Sequence, residues 1–361
     1  MFVTSCKRHH MLTYWFMFLL PAFASLAVSV KPASSRRRLE ASWLAVIVVL
    51  ALLIGLRHQV GGDWGTYEKH YFEMVGASLA EVLDSSDPGY YVINWLSTLV
   101  DGGIYTVNLI CGVIFSVGLV AFCRNQPRPW LALTVAIPYL VVVVGMGYSR
   151  QGLALGFAML GLVALARGRN AWFVLSVALA ATCHKSAVLL VPLAILATPR
   201  GRIWTALWVG VTAVVLYWLL LADSVDSLVT NYLEAEYQSE GAAVRIAMNA
   251  LPAALLLLFR KRFVWPPAER NLWTTMSILA LACVAWLLLS SSSTAVDRVA
   301  LYLIPLQLFV FARLPDLLGR GNAKRVGVIA VVLYYGIVLF VWLFFANHAY
   351  AWVPYRFYLF E

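Results

Sequence analysis

Residues 57–72, which read RHQVGGDWGTYEKHYF, concentrate side chains suited to carbohydrate chemistry. The pair Gly61-Gly62 predicts a tight turn at which the backbone can approach a ligand, and Asp63 follows it directly. A carboxylate here could accept a proton from a hydroxyl group. Three aromatic side chains follow that could stack on sugar rings: Trp64, Tyr67 and Tyr71. The segment could equally be an interfacial loop with an aromatic belt.

Four cations lie at the ends of apolar runs: Arg57, Arg150, Lys185 and Arg298. The last three, like Arg245, begin such runs, so each is expected near a helix N-terminus, where the macrodipole disfavours a cation by up to about 1 kcal/mol. The arrangement makes sense if an anion binds among them, and a guanidinium matches the oxygens of a pyrophosphate. Alternatively, these side chains reach lipid headgroups, with Asp297 pairing Arg298.

His184 stands between two short apolar runs, 170–183 and 184–198. An ionisable residue at membrane depth is a candidate functional group, although a hydrogen-bonded structural histidine would explain it too. Asp63 and His184 are thus the two candidate catalytic residues. We expect neither a metal nor a cofactor, because no ligands stand at a familiar metal spacing. The motifs GxxxxGK[ST], HExxH and GxSxG are also missing, as is GxGxxG after a strand.

The composition indicates that these groups belong to a membrane protein, because hydrophobic residues make up 62% of the 361 residues and charged residues 12%. Soluble domains carry about 25% charged residues. As helices, the two runs beside His184 measure roughly 21–23 Å, short of a bilayer core of about 30 Å, so they are tight spans or a re-entrant hairpin. We predict an all-α fold, one polytopic membrane domain over 1–361 with about 12 transmembrane or re-entrant helices. The longer apolar runs are 11–30, 39–56, 103–123, 129–147, 149–166, 203–222, 243–259, 271–290, 296–312 and 326–346.

The basic residues separate by side when the loops are assigned alternately to the two faces. One set holds 18 of the 27 basic and three of the 17 acidic residues, and the other holds nine basic and 14 acidic residues. The basic residues of the first set are Lys31, Arg36–Arg38, Arg124, Arg128, Arg167, Arg169, Arg200, Arg202, Arg260–Arg262, Arg270, Arg313, Arg320, Lys324 and Arg325. Cytoplasmic loops are rich in Lys and Arg, so the first set is cytoplasmic and both termini lie outside. The net charge of +10 therefore reflects orientation rather than nucleic-acid binding. The basic link at 31–38 favours a retained first span, although Ala22-Phe23-Ala24 resembles a signal-peptidase site, which leaves cleavage of residues 1–24 open.

Segment 88–101 does not fit as a crossing under this charge pattern, and it predicts an amphipathic helix on the outer surface. Its polar positions recur at helical spacing: Asn94, Ser97, Thr98 and Asp101. The opposite face is apolar: Ile93, Leu96 and Leu99. Three aromatic residues are expected at headgroup depth: Tyr90, Tyr91 and Trp95.

Six short motifs mark the chain: GGDWGTYEKHYF (61–72), DPGYYVINWL (87–96), YSRQGLALG (148–156), HKSAVLLVPL (184–193), DRVALYLIP (297–305) and VPYRFYLF (353–360). Their order resembles the EpsG family of exopolysaccharide membrane proteins, functional analogues of Wzy polymerases. Gly62-Asp63 and Tyr67 match the family's G-D…Y pattern, and Arg150 matches its mid-chain arginine. His184 with Ser186 matches its H-x-S.

The resemblance implies a bacterial inner-membrane glycosyltransferase that polymerises polyprenyl-pyrophosphate-linked oligosaccharide repeat units into exopolysaccharide or O-antigen on the periplasmic face. Cations would stabilise the leaving pyrophosphate, and Asp63 or His184 would act as base. The pyrophosphate ligands would be Arg57, Arg150, Lys185 and Arg298, and the sugar contacts Trp64, Tyr67 and Tyr71. Its partners would be the lipid-linked oligosaccharide and membrane lipids, and the partner proteins to test are a flippase and a chain-length regulator.

Three other functions stay open. A flippase or transporter of lipid-linked sugars would use the same arginines, but it would need an inner-facing counterpart site or repeat symmetry, and the sequence shows neither. A glycosyltransferase using a polyprenyl-phosphate sugar commonly carries paired acids and a metal in the first outer loop, where Asp63 has only Glu68 five residues on. An outer-face acyltransferase would rest on His184 alone.

Overall fold

The computed structural model describes residues 2–27, 40–198, 202–220, 239, 241–263, 265–290, 292–319 and 321–361. These residues form helices joined by short connections, with no β-strand among them, which confirms the predicted all-α class. Helices prevail because lipid offers no partner to backbone polar groups, so each apolar segment must satisfy its own. Part of the predicted cytoplasmic basic set lies outside the described residues, namely the link at 31–38, Arg200 and Arg320.

The first helices follow the predicted apolar runs, with three short helices between the second and third runs. The first eight are α1 (Phe2–Ala27), α2 (Ala41–Gly55), α3 (Trp64–Glu73), α4 (Leu79–Leu83), α5 (Pro88–Leu99), α6 (Gly103–Arg124), α7 (Pro129–Ala136, continued by a π-helix at Ile137–Gly145) and α8 (Ser149–Ala166). The rest are α9 (Asn170–Cys183), α10 (Leu193–Ala197), α11 (Arg202–Leu220), α12 (Ala242–Phe259), α13 (Pro267–Leu289), α14 (Ser293–Leu301), α15 (Pro305–Phe311), α16 (Leu314–Leu318) and α17 (Asn322–Phe345).

Five helices of the described residues are long and apolar enough to cross a membrane, namely α6, α8, α12, α13 and α17. The count becomes six if α14 and the helical stretch Pro305–Leu318, which meet at 52°, form one broken span. The sequence predicted one continuous run there, at 296–312. The two short runs also form separate pieces, because His184 is extended and a 3-10 turn at Lys185–Leu190 intervenes before α10.

The chain divides into two compact units, the first comprising Met1–Gly156 with Phe311–Glu361. Within it α2 packs along α6, and α1 packs along α7. Helix α6 approaches the chain at Gly156 so closely that a Cβ on Gly118 would lie 2.1 Å from the Gly156 carbonyl oxygen. The C-terminal segment closes the core, since the indole Nε1 of Trp352 donates to the Val142 carbonyl at 2.7 Å.

The second unit comprises Phe157–Val310, in which α12 packs along α13 and contacts α14. The Gln307 amide donates to Asn249 Oδ1 at 2.7 Å, and both side chains are buried. Trp273 stacks on Phe309 with ring centroids 4.1 Å apart. Aromatic packing and buried polar bonds thus hold the unit together. The single domain expected over 1–361 stays a prediction.

Helix α5 occupies the segment for which an amphipathic surface helix was predicted, and part of its polar face packs against the protein. Tyr90, Tyr91, Asn94 and Ser97 are buried against the protein. Both tyrosines therefore pack within the protein, and their position at headgroup depth stays a prediction. The apolar side chains point outward instead: Leu96 is 47% exposed, Leu99 60% and Val100 69%. In a membrane protein the polar face can turn inward, because lipid solvates the apolar one.

Candidate functional site

Arg57 follows α2 and ends in the core of the first unit, with its side chain buried. Its Nε donates to the Val60 carbonyl at 3.1 Å, and Nη1 donates to the Ile54 carbonyl. Nη2 donates to Ser149 Oγ at 2.8 Å and to Asn108 Oδ1 at 3.3 Å. Each guanidinium nitrogen thus has a protein acceptor. Arg57 was predicted to bind pyrophosphate; the structure gives it the geometry of a group that ties α6 and α8 to the loop.

The C-terminal motif holds this loop from the other side. The His58 N–H donates to the Arg356 carbonyl at 3.0 Å, and the Tyr358 N–H donates to the Leu56 carbonyl at 2.8 Å. The Gly61 N–H donates to the Ala351 carbonyl at 2.8 Å. The first and last motifs, almost 300 residues apart in sequence, therefore form one loop–terminus assembly.

The glycine pair serves the packing of this loop. Gly61 has φ +107°, and a Cβ there would lie 2.6 Å from the Met146 carbonyl oxygen. A side chain is excluded on both counts. The close backbone approach predicted at Gly61-Gly62 is thus made by Gly61, and its partner is the chain at 146–147 rather than a ligand.

Asp63 precedes α3 and is half-buried. Trp64 lies over the Arg57 guanidinium, 5.7 Å from it, and its ring contacts His58 and Tyr105. Tyr71 is half-buried and packs edge-on against Phe72. Two of the three predicted sugar-stacking rings are therefore partly accessible.

The third ring, Tyr67, is buried at 4% exposure. Its hydroxyl accepts a hydrogen bond from the Arg150 backbone N–H. Burial, with a smaller effect of the Asp63 carboxylate, raises the pKa of Tyr67, so the hydroxyl keeps its proton. Tyr67 thus joins α3 to the start of α8, and its buried ring is not exposed for a sugar to stack on.

Arg150 lies in the first turn of α8 beside a carboxylate that the sequence did not indicate. Its Nη1 donates to Asp87 Oδ2 at 2.9 Å, and the Asp87 side chain is only 4% exposed against 29% for Arg150. The anion that a cation at a helix N-terminus needs is therefore partly supplied by the protein. The other guanidinium nitrogens of Arg150 make no hydrogen bond within the part of the chain that the structure describes.

Next to this pair lies His70, a histidine that the sequence analysis did not single out. His70 Nδ1 lies 2.9 Å from the Tyr91 hydroxyl and 3.2 Å from Glu73 Oε2. Its Nε2 is buried and has no hydrogen-bond partner among the described residues. The only local signal was the i, i+3 spacing of His70 and Glu73 on a helix, because Tyr91 comes from α5.

The remaining predicted residues belong to the second unit. His184 and Lys185 are half-buried at the break after α9, and Ser186 Oγ donates to the Tyr302 hydroxyl at 3.4 Å. Arg298 is half-buried on α14.

Asp297 was the suggested partner of Arg298, but it pairs with Arg245. The Arg245 Nε donates to Asp297 Oδ1 at 2.5 Å, and Nη2 donates to Oδ2 at 2.6 Å. This is a bidentate ion pair, the geometry that suits a guanidinium and a carboxylate.

The first unit thus brings together Asp63, Tyr67 and Arg150, with Arg57 and Trp64 at the loop beside them. Among the described residues no group of three or more His, Cys, Asp or Glu side chains could hold a metal ion. The arrangement offers a part-exposed guanidinium, a carboxylate and an imidazole, which are the groups that anion binding and proton transfer require.

Comparison with known proteins gives one match. The family model described as the EpsG family matches residues 40–357. No curated protein and no solved structure matches the chain.

Proposed function

This chain belongs to the EpsG family, and from that premise we propose that it polymerises polyprenyl-pyrophosphate-linked oligosaccharide repeat units into exopolysaccharide or O-antigen. Membership of the family makes it a membrane protein of polysaccharide biosynthesis. The polymerase step is the proposal, together with its place on the periplasmic face of the bacterial inner membrane, where the acidic set of loops is predicted to lie.

The reaction needs a leaving group, a nucleophile and a proton acceptor. The growing chain on its lipid is the donor, and a hydroxyl oxygen of the incoming unit forms the new bond to the anomeric carbon. The bond from that carbon to the pyrophosphate oxygen breaks, and polyprenyl pyrophosphate leaves with the electron pair. The hydroxyl proton passes to a base. Charge therefore develops on the pyrophosphate, and fixed cations lower the barrier by stabilising it there.

The observation that carries the proposal is the environment of Arg150. Asp87 holds one guanidinium nitrogen at 2.9 Å, while 29% of the side chain stays exposed. We assign to Arg150 the contact with the leaving pyrophosphate, because the planar fork can bind phosphate oxygens with its remaining N–H groups. Asp87 fixes the orientation of the fork. Arg57 is assigned a positioning role, since its nitrogens are all engaged within the protein.

Lys185 and Arg298 stay candidate pyrophosphate ligands of the second unit, to be tested one at a time. Trp64 and Tyr71 stay candidate sugar contacts, because both rings are partly accessible. A flippase and a chain-length regulator stay candidate partner proteins.

Three side chains are candidates for the base: Asp63, His184 and His70. His70 has the most suitable arrangement. We assign the proton to Nδ1, which then donates to the Glu73 carboxylate and the Tyr91 hydroxyl and leaves Nε2 as a neutral acceptor. A carboxylate that orients an imidazole in this way recurs in nucleophile-activating sites. We therefore place His70 first, with Asp63 and His184 as the other candidates.

The test is reconstitution of the purified protein in liposomes with a lipid-linked repeat unit. A ladder of products differing by one repeat unit supports polymerisation, and its absence in Arg150→Ala links it to the site. Movement of the substrate across the bilayer without any ladder would replace the proposal with the flippase function. Transfer of a single sugar from a polyprenyl-phosphate donor would replace it with the other glycosyltransferase function.

A further inference from the structure

The second unit contains a basic cavity that lies outside the sites described above. It has a volume of about 810 Å³ and opens between the end of α12 and the start of α13, with Leu196 of α10 at its edge. Three cations line it: Arg260, Lys261 and Arg270. All three belong to the loop set that the charge distribution predicts to be cytoplasmic, so this cavity and Arg150 belong to faces predicted to be opposite.

The cations of the cavity have no ion-pair partner within the described residues. Arg260 and Lys261 follow the C-terminus of α12, where the macrodipole favours cations, so their presence alone requires no ligand. Arg270 is different, because it lies in the first turn of α13, where a cation is disfavoured. Glu269 is the one acidic residue of segment 260–275, and it does not line the cavity.

Polar side chains on one face of α13 also line the cavity, together with the cations that follow α12. Asn271, Thr274 and Thr275 stand at i, i+3 and i+4 and are half-buried. Their amide and hydroxyl groups can donate to the oxygens of a phosphate. Neutral donors beside cations suit an anion better than a second cation or a sugar, because every group that lines this wall can donate a hydrogen bond.

A third part of the lining is apolar. Phe263 and Trp265 stack with ring centroids 4.8 Å apart, and both line the cavity with Leu196. An inorganic ion would gain nothing from these rings, and the cavity is larger than one phosphate group requires. A ligand with a phosphate at one end and a glycerol and acyl chains at the other would use both kinds of wall.

We propose that this cavity binds the phosphate headgroup of an anionic phospholipid, the cations holding the phosphodiester and the aromatic pair contacting the glycerol and the first acyl carbons. Basic pockets between membrane helices on the cytoplasmic side are suited to such headgroups. The bound lipid supplies the negative charge that Arg270 does not receive from an ion pair among the described residues. The proposal is independent of the polymerase function.

The experiment is native mass spectrometry of the full chain in neutral detergent, titrated with phosphatidylglycerol or with phosphatidylcholine. Each cation near a membrane surface contributes a few-fold to anionic-lipid affinity. Arg270→Gln should therefore weaken phosphatidylglycerol binding about fivefold, and the triple variant Arg260→Gln, Lys261→Gln, Arg270→Gln about 100-fold. Phosphatidylcholine should bind weakly to all of them.

The matched control is Arg325→Gln, an exposed cation of the same predicted face that does not line the cavity. It should bind phosphatidylglycerol as the wild type does. Unchanged phosphatidylglycerol affinity in Arg270→Gln overturns the proposal, and this single surface change decides the matter even if the triple variant fails to fold. Displacement of phosphatidylglycerol by millimolar inorganic phosphate would show a free-phosphate site and overturn the lipid as occupant.

Discussion

The guanidinium of Arg150 and the carboxylate of Asp87 form an ion pair at 2.9 Å between residues 63 positions apart in the chain. Asp87 immediately precedes α5 and is buried, whereas Arg150 lies in the first turn of α8 and is part-exposed. The pair therefore joins the start of α5 to the start of α8, and it leaves part of the Arg150 side chain accessible.

Arg150→Lys should keep the ion pair with Asp87 but lose the planar fork. We expect protein levels near wild type and a fall in polymerisation on the order of 100-fold, with unpolymerised single-repeat lipid-linked units accumulating. Arg150→Ala should show the same loss. Polymer length on gels, beside protein level in the membrane fraction, measures both. Arg325→Ala is the control, and long polymer in Arg150→Ala at normal protein level would remove Arg150 from the site.

Asp87→Asn should act mainly on stability, because it leaves a part-buried guanidinium without its carboxylate. The expected loss is about 2–3 kcal/mol in the free energy of unfolding, below the range for a fully buried pair because Arg150 is part-exposed. Thermal unfolding in detergent measures it. The double variant Asp87→Asn, Arg150→Ala should lose less stability than the sum of the losses of the two single variants, because both changes break the same ion pair. Strict additivity would mean that the pair contributes nothing.

His70→Asn distinguishes the role of Nε2 from that of Nδ1 in the imidazole. The asparagine amide can still bond to Glu73 or Tyr91 from near the Nδ1 position, while Nε2 is lost. A general base contributes roughly 100-fold or more, so the rate should fall by that order with normal protein levels. Glu73→Gln should lower the rate on the order of tenfold, because the carboxylate that holds the proton on Nδ1 is lost. Glu68→Gln on the same helix is the control. Wild-type rates in both His70→Asn and Glu73→Gln would return the choice to Asp63 and His184.

Helix α17 tests the orientation of the chain by itself. Its 24 residues span roughly 36 Å, with exposed Ala323 at its start and Tyr350, 77% exposed, just beyond its end. In a background lacking the five cysteines, Tyr350→Cys should react with an impermeant thiol reagent in intact spheroplasts and Ala323→Cys only after lysis. Equal labelling of the two positions would refute the charge-based orientation.

Gly118→Ala should destabilise the first unit. The new Cβ would meet the Gly156 carbonyl oxygen at 2.1 Å, and backbone cannot yield as a side-chain end can. We expect a loss of about 2 kcal/mol or more in the free energy of unfolding. Gly210→Ala on α11 is the control, since no atom lies within 4 Å of its added Cβ, and it should be neutral or gain about 0.5 kcal/mol. Equal thermal stabilities of the two variants would contradict this packing.

Chelation tests whether the reaction needs a divalent metal ion. Polymerisation in liposomes should survive EDTA, because cations of the protein are proposed to stabilise the pyrophosphate. A rate that collapses with EDTA and returns with a divalent cation would instead favour the metal-dependent glycosyltransferase that uses a polyprenyl-phosphate sugar.

The sequence by itself determined the all-α class, most helix boundaries and the family. These features are local: a run such as 103–123 must be a helix in lipid because its backbone has no other partner, and the motif order lies along the chain. The amphipathic pattern of 88–101 was likewise legible, and so was the concentration of chemical groups in residues 57–72.

Only the tertiary structure decided which of those groups are accessible. Arg57 was expected at a ligand but donates to Asn108 and Ser149, which lie 51 and 92 residues away. The pairing of Asp87 with Arg150 could not be predicted either, because the two residues are 63 positions apart in the chain. Helix α5 shows the general cause. Its sequence pattern reveals a polar and an apolar face, but it does not say which face packs against the protein. That choice depends on contacts with side chains distant in sequence.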